Sequence, residues 1–221
     1  MHGELDAVAE LAGAIRSGER PQPARIVWVS RGPENETTRM PDVLDGGPVV
    51  LRRRREADVP KLVRAIELSL PELAQWFGWA QQEPNVVEQR RRTADGERAF
   101  DDGTDYEFLL IEDDDVVGGL RLNPSAAPDA AGIGYWVRSD RTGRGYATSA
   151  TRAATTAAFE HLSHVERVYI LMDQANLASV AVPTKLGFLL DREEDRPIEA
   201  PGHTGRGFIW VMTRDRWSPQ S

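Results

Sequence analysis

The segment WVRSDRTGRGYAT, residues Trp136–Thr148, carries the pattern of a strand end, a short turn, a glycine-rich loop and the first turn of a helix. Gly143 and Gly145 lack a Cβ atom, so the backbone can turn tightly there and a ligand can approach it closely. The first N–H groups of a helix have no partner within the helix and can hold a phosphate. Arg141 and Arg144 add positive charge beside them. The segment therefore predicts a phosphate site at the start of a helix.

The chain after this loop alternates between helices and strands. Gly145–Leu162 is rich in alanine, whose small side chain lets a helix lie close to a sheet. Arg167–Met172 is a continuous apolar run, as expected for a strand that is covered on both faces. Asn176 is a favourable N-cap for a helix over Leu177–Leu186, which Gly187 ends. Two more strands are predicted, with a charged connection between them, at Phe188–Leu190 and Phe208–Thr213.

Three strands are predicted immediately before the loop. Tyr106–Ile111 and Val116–Leu122 flank the acidic segment Glu112–Asp115, which is the pattern of a hairpin. Gly132–Val137 is the third strand and leads into the loop. The aspartates of the hairpin turn lack the spacing of a calcium loop, so we interpret them as a charged turn.

Further upstream, Val49–Arg54 predicts a first strand, and Glu56–Leu70 predicts a helix with apolar residues at helical spacing. Neighbouring side chains in a strand point to opposite faces, so Arg52–Arg55 favours a solvated edge over an anion patch. Arg90–Arg92 is also expected to be solvated. The order of strands and helices predicts an α/β fold with a mixed sheet. Three aromatic residues follow the predicted helix Glu56–Leu70 and could either pack in the core or form the wall of a substrate cleft: Trp76, Phe77 and Trp79.

The first 48 residues form a predicted extension, and residues 49–217 a predicted catalytic domain. The extension has helical spacing from Leu5 to Ile15, a short apolar run at Ala24–Ser30 and then a loop-like composition. Two interpretations stay open: a dimerisation arm or lid in a homodimer, and an appendage without a chemical role.

The composition excludes several classes of protein. The 221 residues include 27 basic and 35 acidic side chains, for a net charge of −8, which argues against a general nucleic-acid binder. No cysteine and only four scattered histidines are present, so no metal site is expected. No apolar run is long enough for a membrane helix, and the N-terminus does not resemble a secretion signal. We therefore expect a cytoplasmic protein with no membrane partner.

Three motifs, together with the order of elements, resemble the GNAT superfamily of N-acetyltransferases: IGYW at Ile133–Trp136, TGRGYAT at Thr142–Thr148 and NLASVAVPTKLGF at Asn176–Phe188. Within that superfamily the chain is most similar to the Rim-type enzymes, which acetylate the N-termini of ribosomal proteins. The resemblance covers about Val49–Trp217. It implies a central, mostly antiparallel sheet with a splayed strand pair, flanked by helices.

The resemblance also implies a site for acetyl-CoA as co-substrate. Thr142 stands where the family's loop usually has arginine or glutamine, with Arg141 beside it. The strand end matches the segment whose backbone pairs with the pantetheine arm, and the N–H of Val137 is expected to face the thioester carbonyl. The residues implied to bind the cofactor are Trp136, Val137, Arg138, Arg141, Thr142, Gly143, Arg144, Gly145, Tyr146, Ala147, Thr148, Asn176 and Ser179.

The implied reaction is direct attack of an amine on the acetyl thioester. The oxyanion that develops needs a donor already in place, and Val137 is assigned this role. Many family members protonate the leaving thiolate with a tyrosine, but Pro183 occupies that position here. Ser179 of the Asn-x-x-Ser motif resembles the alternative proton donor. It could instead be a first-turn helix residue with a satisfied hydroxyl.

The sequence pattern offers several candidates for the general base. Rim-like sequences often carry a glutamate just before IGYW, and this chain has Gly132 there. Glu199, in the region that matches the family's substrate loop, is the first choice, with Glu107 and His203 as alternatives. A solvated surface group is the competing interpretation for each of them.

The acceptor is predicted to be a primary amine, either a protein N-terminal α-amine or a small molecule. At neutral pH a lysine amine costs roughly 4–5 kcal/mol to deprotonate and an α-amine only roughly 1–1.5 kcal/mol, so a site without an obvious base favours the α-amine. Trp76, Trp79 and Glu107 are the predicted substrate-binding residues, framing a cationic amine. The alternative is a non-catalytic acyl-CoA-binding or regulatory module, which Gly132 and Pro183 favour.

Overall fold

A computed structural model describes residues 39–218, with only the backbone of residues 125–127. Eight strands form one sheet in this range: β1 (Val43–Asp45), β2 (Val50–Arg53), β3 (Tyr106–Glu112), β4 (Asp115–Ala127), β5 (Ala130–Val137), β6 (Arg167–Asp173), β7 (Leu189–Asp195) and β8 (Arg206–Thr213). The α-helices are α1 (Val59–Glu67), α2 (Leu70–Ala74), α3 (Val86–Asp101), α4 (Tyr146–His161) and α5 (Leu177–Lys185). Short 3-10 turns occupy Glu56–Asp58, Gly78–Ala80 and Ser139–Arg141.

The strands lie in the order β1-β2-β3-β4-β5-β6-β8-β7. Every neighbouring pair is antiparallel except β5 and β6, which are parallel and are connected through α4. A parallel pair needs such a crossover, because a tight turn can join only antiparallel strands. The mixed, mostly antiparallel sheet predicted from the sequence is confirmed.

The parallel pair separates halfway along β5. Ala130–Ile133 pairs with Arg167–Ile170, and beyond Ile133 the two strands no longer pair. Gly134–Val137 therefore has β4 on one side and a gap on the other. This is the splayed strand pair that the resemblance implied.

Helices cover both faces of the sheet. On one face α4 and α5 bury the larger apolar cluster, which includes Leu122, Ile133 and Val168. On the other face α1 packs over Leu109 and Val116. Successive residues of β5 alternate between these faces, since side chains along a strand point alternately up and down.

The prediction that Arg52–Arg55 forms a solvated edge is wrong. β1 pairs outside β2, so β2 is an internal strand, and Arg53 and Arg54 are 3% and 9% exposed. Arg53 lies over the Phe100 ring at 4.3 Å and donates to Asp101. The prediction missed this arrangement because α3 covers these arginines from a distant part of the chain, and β1 lies in a segment that was expected to be a loop.

Two boundaries also differ from the sequence-based expectation. The sheet begins at Val43–Asp45, within the segment expected to be a loop before residue 49, and Met40 and Leu44 join the core. β7 extends to Asp195, into a segment expected to be a charged connection. An edge strand tolerates this composition, because most of its charged side chains stay exposed and the partly buried Arg192 and Glu194 pair with each other.

The helix and strand expected within the first 38 residues lie outside the described part of the chain. Within residues 39–218, no helix combines the length and apolar character needed to cross a membrane.

Candidate active site

The glycine-rich loop has the backbone geometry of an anion site. Gly143 and Gly145 adopt φ angles of 75° and 81°, and Gly145 is the N-cap of α4. These angles are in the left-handed region, which disfavours side chains with a Cβ atom. No described atom lies within 4 Å of the Cβ position on either glycine, so the space above the loop is open. The loop at the start of α4 is therefore open, and the first amides of a helix are groups that can bind a phosphate.

The positive charges near this loop converge on Glu112. Its carboxylate lies 3.4 Å from Arg141 and 3.6 Å from Arg144, and it accepts a hydrogen bond from the Tyr146 hydroxyl. Asp140 also lies 3.9 Å from Arg141, so two carboxylates oppose the two arginines at the loop. Arg138 is engaged elsewhere, because its buried guanidinium pairs with two aspartates beside the strand end: Asp115 at 2.7 Å and Asp140 at 2.6 Å.

The backbone of Val137 points into the gap beside β5. The Arg138 N–H donates to the Val117 carbonyl at 2.8 Å, and Gly118 faces Val137 in the next pair of the ladder. Hydrogen-bonded and non-hydrogen-bonded pairs alternate in an antiparallel ladder. Tyr135 and Val137 therefore direct their N–H and C=O groups away from β4, toward the side where β6 has separated. This orientation agrees with the role expected for Val137.

Two glycines of β4 allow Trp136 to lie against the sheet. A Cβ atom on Gly119 would stand 2.6 Å from the Trp136 indole nitrogen, and one on Gly118 would stand 2.4 Å from the Trp136 carbonyl oxygen. Trp136 then meets Trp79 edge to face, with ring centroids 6.5 Å apart. The indole thus separates the strand end from the aromatic residues after α2.

Ser179 contacts a tyrosine on the α4 and α5 side of β5. The Tyr135 hydroxyl lies 3.1 Å from both the carbonyl oxygen and Oγ of Ser179. Burial raises the pKa of Tyr135 to about 12, although the hydrogen bond with Ser179 lowers it. Asn176 accepts a hydrogen bond from the Ser179 N–H at 3.1 Å and so caps α5. Tyr135 therefore stays protonated at neutral pH and fixes the position of the Ser179 hydroxyl.

A cavity of about 290 Å³ opens on the opposite face of β5. Its floor is the sheet, its roof is α1 with the aromatic residues that follow α2, and α3 closes one end. Gly132, Gly134 and Trp136 bring β5 into its wall, so the cavity reaches the gap. The remaining lining residues used below are Phe77, Trp79, Arg54, Arg92, Glu107, Arg121, Asn123, Tyr169 and Arg196.

A row of charged residues crosses the cavity floor. Glu107 pairs in register with Arg121, and Arg121 pairs with Gly134 at the open edge. Arg54 donates to Glu107 at 2.8 Å, and its other nitrogens bond Thr93 and Gln89. Burial lowers the pKa of the Arg54 guanidinium, while Glu107 raises it. These contacts fix the Glu107 carboxylate in the same row as Gly134 at the open edge of β5.

The three aromatic residues after α2 do not lie together, and one of them contacts the loop between β7 and β8, called the late loop. Trp79 and Phe77 line the cavity, whereas Trp76 packs beside Gly202 in the late loop. His203 accepts from the Glu199 N–H at 3.2 Å and contacts the Trp76 carbonyl at 3.0 Å, so the neutral imidazole carries its proton on Nε2. Glu199 and His203 thus join the loop to the segment after α2, outside the residues that line the cavity.

Tyr169 occupies the space above Gly132. A Cβ atom on Gly132 would stand 2.7 Å from the Tyr169 hydroxyl oxygen, so the bare glycine makes room for the phenol. Tyr169 is 2% exposed, and its hydroxyl has no hydrogen-bond partner among the described residues. The sequence did not indicate a role for Tyr169, because this residue lies within an apolar run that predicts only a buried strand. Nor did it indicate a role for Tyr135, although the alternation of IGYW places Tyr135 and Trp136 on opposite faces.

The described residues contain no group of three histidine, aspartate or glutamate side chains placed to hold a metal ion. The site instead combines an anion-binding loop, an open strand edge and an acceptor-sized cavity.

Comparison with known proteins agrees with this combination. The family model for the acetyltransferase (GNAT) domain matches residues 49–189. Among solved structures, Mycobacterium smegmatis RimJ in complex with CoA-disulfide is 25% identical, with a TM-score of 0.72 over 82% of this chain and 91% of its own. RimL, a ribosomal L7/L12 alpha-N-protein acetyltransferase in complex with coenzyme A, is 22% identical, with a TM-score of 0.70 over 77% and 97%.

A third solved structure is the microcin C7 self-immunity acetyltransferase MccE in complex with acetyl-CoA and AMP. It is 15% identical, with a TM-score of 0.68 over 76% of this chain and 93% of its own. A comparison with curated proteins gives no match.

This chain belongs to the GNAT acetyltransferase family, because the family model matches more than half of it. It is an N-acetyltransferase that uses acetyl-CoA as its co-substrate. The family identified from the sequence motifs is confirmed, and family membership favours an enzyme over a non-catalytic acyl-CoA-binding module.

Proposed function

We propose that the enzyme acetylates the α-amine of a protein or peptide N-terminus, and that the amine approaches the open edge of β5 from the cavity. The observation that carries this proposal is the position of Val137, whose N–H faces a gap with the cavity on one side and Ser179 on the other. RimL and RimJ, which share the fold, support an N-terminal acceptor.

The chain's residues fit acetyl-CoA at both ends of the site. The open glycines of the loop leave the first amides of α4 free to hold the diphosphate, with Arg141 and Arg144 beside them. The outward backbone groups of Tyr135 and Val137 offer a pairing edge for the pantetheine arm. When bound, acetyl-CoA supplies an acyl thioester that a neutral amine can attack. We also propose that the other residues of the loop Thr142–Thr148, and Asn176, contact the cofactor.

Val137 and Ser179 act at opposite ends of the transfer. The Val137 N–H donates to the carbonyl oxygen as negative charge develops there. The amine nitrogen forms the new bond to carbon, the carbon–sulfur bond breaks, and Ser179 Oγ–H donates a proton to the departing sulfur. Tyr135, 3.1 Å from Ser179 Oγ, can replace that proton. The ammonium formed by the attack releases one proton to solvent and Tyr135 regains one from solvent, so the products are a neutral amide, a thiol and the original enzyme.

The cavity compensates for a weak base. Glu107 lines the cavity, so we assign it to accept a hydrogen bond from the amine and orient it. Arg121 is in register with Gly134, and a positive charge beside an amine favours its neutral form. An α-amine needs only roughly 1–1.5 kcal/mol to lose its proton at neutral pH. Glu199 remains a candidate base only if the late loop moves toward the cavity when acceptor binds.

The experiment is a comparison of three peptides that differ only in their amines: one with a free N-terminus and no lysine, one N-terminally blocked with a lysine, and one with both features. Mass spectrometry locates the acetyl group after incubation with acetyl-CoA. We expect modification of the free N-termini alone. Preferential modification of lysine, or no coenzyme A release with any amine, would contradict the proposal.

We further propose a cytoplasmic homodimer. The absence of cysteine fits a reducing compartment, and the ribosomal-protein acetyltransferases that share the fold fit the same location. Leu189 and Leu190 expose about half of their surface on the edge strand β7, which offers an apolar contact for a second copy. Sedimentation equilibrium tests the oligomeric state, and a monomer at micromolar concentration would contradict the dimer.

A further inference from the structure

The wall of the acceptor cavity carries more positive than negative charge. Arg54, Arg92, Arg121 and Arg196 line it, and Glu107 is the one acidic residue among the described lining residues. Arg54 is paired with Glu107 and Arg121 with Asp105. These pairs account for two of the four arginines, so positive charge remains on the other two.

Arg92 and Arg196 have no ion pair with a described residue. Arg92 lies close enough to Arg54 for their like charges to lower the pKa of Arg54 further. Arg196 favours the charged form of Glu194, but that carboxylate already pairs with Arg192 at 3.4 Å. Both arginines are half-buried and line the cavity. Partly buried charges without a partner are costly, so their position indicates an anionic ligand.

The orphaned hydroxyl of Tyr169 is an independent sign of a polar ligand in the same cavity. It is fully buried and faces no described acceptor, and an unmade hydrogen bond of this kind costs about 1–3 kcal/mol. Asn123 and Tyr169 flank Gly132 on the two neighbouring strands, next to the point where β5 and β6 separate. A bound acceptor with an oxygen at this position would satisfy the hydroxyl.

The size of the cavity limits what binds there. A volume of about 290 Å³ is near the lower end of the range for ligand pockets. This is enough for a small amine or for the first residues of a peptide. The anionic group must therefore be close to the reacting nitrogen in the covalent structure of the acceptor.

From these features we infer that the preferred acceptor is an amine that carries a carboxylate close to the reacting nitrogen, and that Arg92 and Arg196 bind this carboxylate. The inference rests on the proposed acetylation of an α-amine and specifies its substrate class. It differs from the sequence-based expectation of a pocket that frames only a cationic amine. An acidic N-terminal peptide and a small acidic amine share the required chemistry.

The test uses two peptides that differ at one atom group: Ser-Asp-Ala-Ala-Ala-Gly and its isosteric Ser-Asn partner. A charge-assisted contact is stronger than a neutral one, so we expect kcat/KM to be about tenfold higher for the aspartate peptide. R92Q and R196Q should each remove most of this preference, so that the ratio of the two kcat/KM values falls toward one. Equal kcat/KM values for the two peptides in the native enzyme would overturn the inference and leave N-terminal acetylation intact.

R90Q is the matched control, because Arg90 lies on the same helix as Arg92 but is exposed and outside the cavity. It should retain the preference. The affinity for coenzyme A, measured by calorimetry, checks that each variant is folded. The C-terminally amidated dipeptides Gly-Asp-NH2 and Gly-Asn-NH2 form a second pair, in which the aspartate side chain is the only carboxylate. A larger aspartate preference in this pair than in the hexapeptides would indicate a small acidic amine as the acceptor, and a smaller one would indicate a peptide.

Calorimetry of the same peptides with the coenzyme A-bound protein separates this inference from the proposed function. If no peptide is acetylated but the aspartate peptide binds more tightly, and R92Q removes the difference, the acceptor proposal fails and the acidic site stands. If the aspartate and asparagine peptides bind equally in the absence of turnover, both are wrong.

Discussion

The two faces of β5 have different kinds of environment, although they are separated by the thickness of one strand. On one face Tyr135 and Ser179 sit beside the main apolar core, with each hydroxyl partnered. On the other face Gly132 and Gly134 open a cavity walled by arginines, with the Tyr169 hydroxyl unpartnered. We call the face with Tyr135 and Ser179 the ordered face, and it is suited to proton delivery to a departing thiolate. We call the cavity face with Tyr169 the unsatisfied face, and it is suited to recognition of an acceptor. The difference shows that the enzyme separates leaving-group chemistry from acceptor recognition across a single strand.

The largest effect should come from the ordered face. S179A removes the proposed proton donor, and general acid catalysis typically contributes 10²-fold or more, so we expect kcat to fall about 100-fold. Coenzyme A affinity should change little, because the Asn176 cap uses the backbone N–H of Ser179. Steady-state kinetics with calorimetry measures both. A fall of less than threefold in kcat would show that Ser179 is only a first-turn helix residue.

Substitution in the loop between the two faces should affect cofactor binding instead of chemistry. G145V places a β-branched side chain at a φ of 81°, in a conformation that costs about 1–3 kcal/mol. We expect the dissociation constant of coenzyme A to rise about thirtyfold, while kcat at saturation stays within threefold. V165A serves as a control for general destabilisation, because Val165 is fully buried and follows the opposite end of α4 from Gly145. Unchanged coenzyme A affinity in folded G145V would contradict a phosphate site at this helix.

Alkaline stability sharpens the description of the ordered face. The pKa of Tyr135 is raised to about 12 from an ordinary value of 10, so its contribution to stability is complete below pH 10 and is lost as the pH rises to 12. At pH 11 about half of the loss, roughly 1 kcal/mol, should have occurred. Urea unfolding at pH 9 and pH 11 should therefore show a smaller loss in Y135F than in the native protein. Equal losses would mean that Tyr135 ionises at its ordinary pKa.

The smallest effect should come from the unsatisfied face. Y169F removes a buried hydroxyl that has no described partner, so the free energy of unfolding should stay the same or rise by up to about 1 kcal/mol. The KM for the aspartate peptide should rise about threefold, because the bound acceptor loses one hydrogen bond. Thermal unfolding and initial rates measure the two quantities. Marked destabilisation would show that the hydroxyl has a structural partner in the folded protein.

Local signals could be predicted from the sequence because they depend on neighbouring residues. The glycines of the loop specify a left-handed turn, and Asn176 specifies a helix start, since both requirements are met within a few residues. Arg54 shows the opposite case. Its sequence context predicts a strand edge, but Thr93 and Gln89 on α3 and Glu107 on β3 bind its guanidinium, and these residues come from later parts of the chain. Burial of a charge depends on which segments cover it, and a local pattern does not contain that information.

The sequence by itself determined the family, the α/β sheet and the glycine-rich entry to α4, because periodicity, capping and glycine placement act over one or two turns of chain. Only the tertiary structure decided where β5 and β6 separate, that Ser179 meets Tyr135, and that Arg92 and Arg196 share a cavity with Glu107. These are contacts between residues far apart along the chain. They form because burying apolar surface brings whole elements together, and the polar side chains between them take the positions that the packed elements leave.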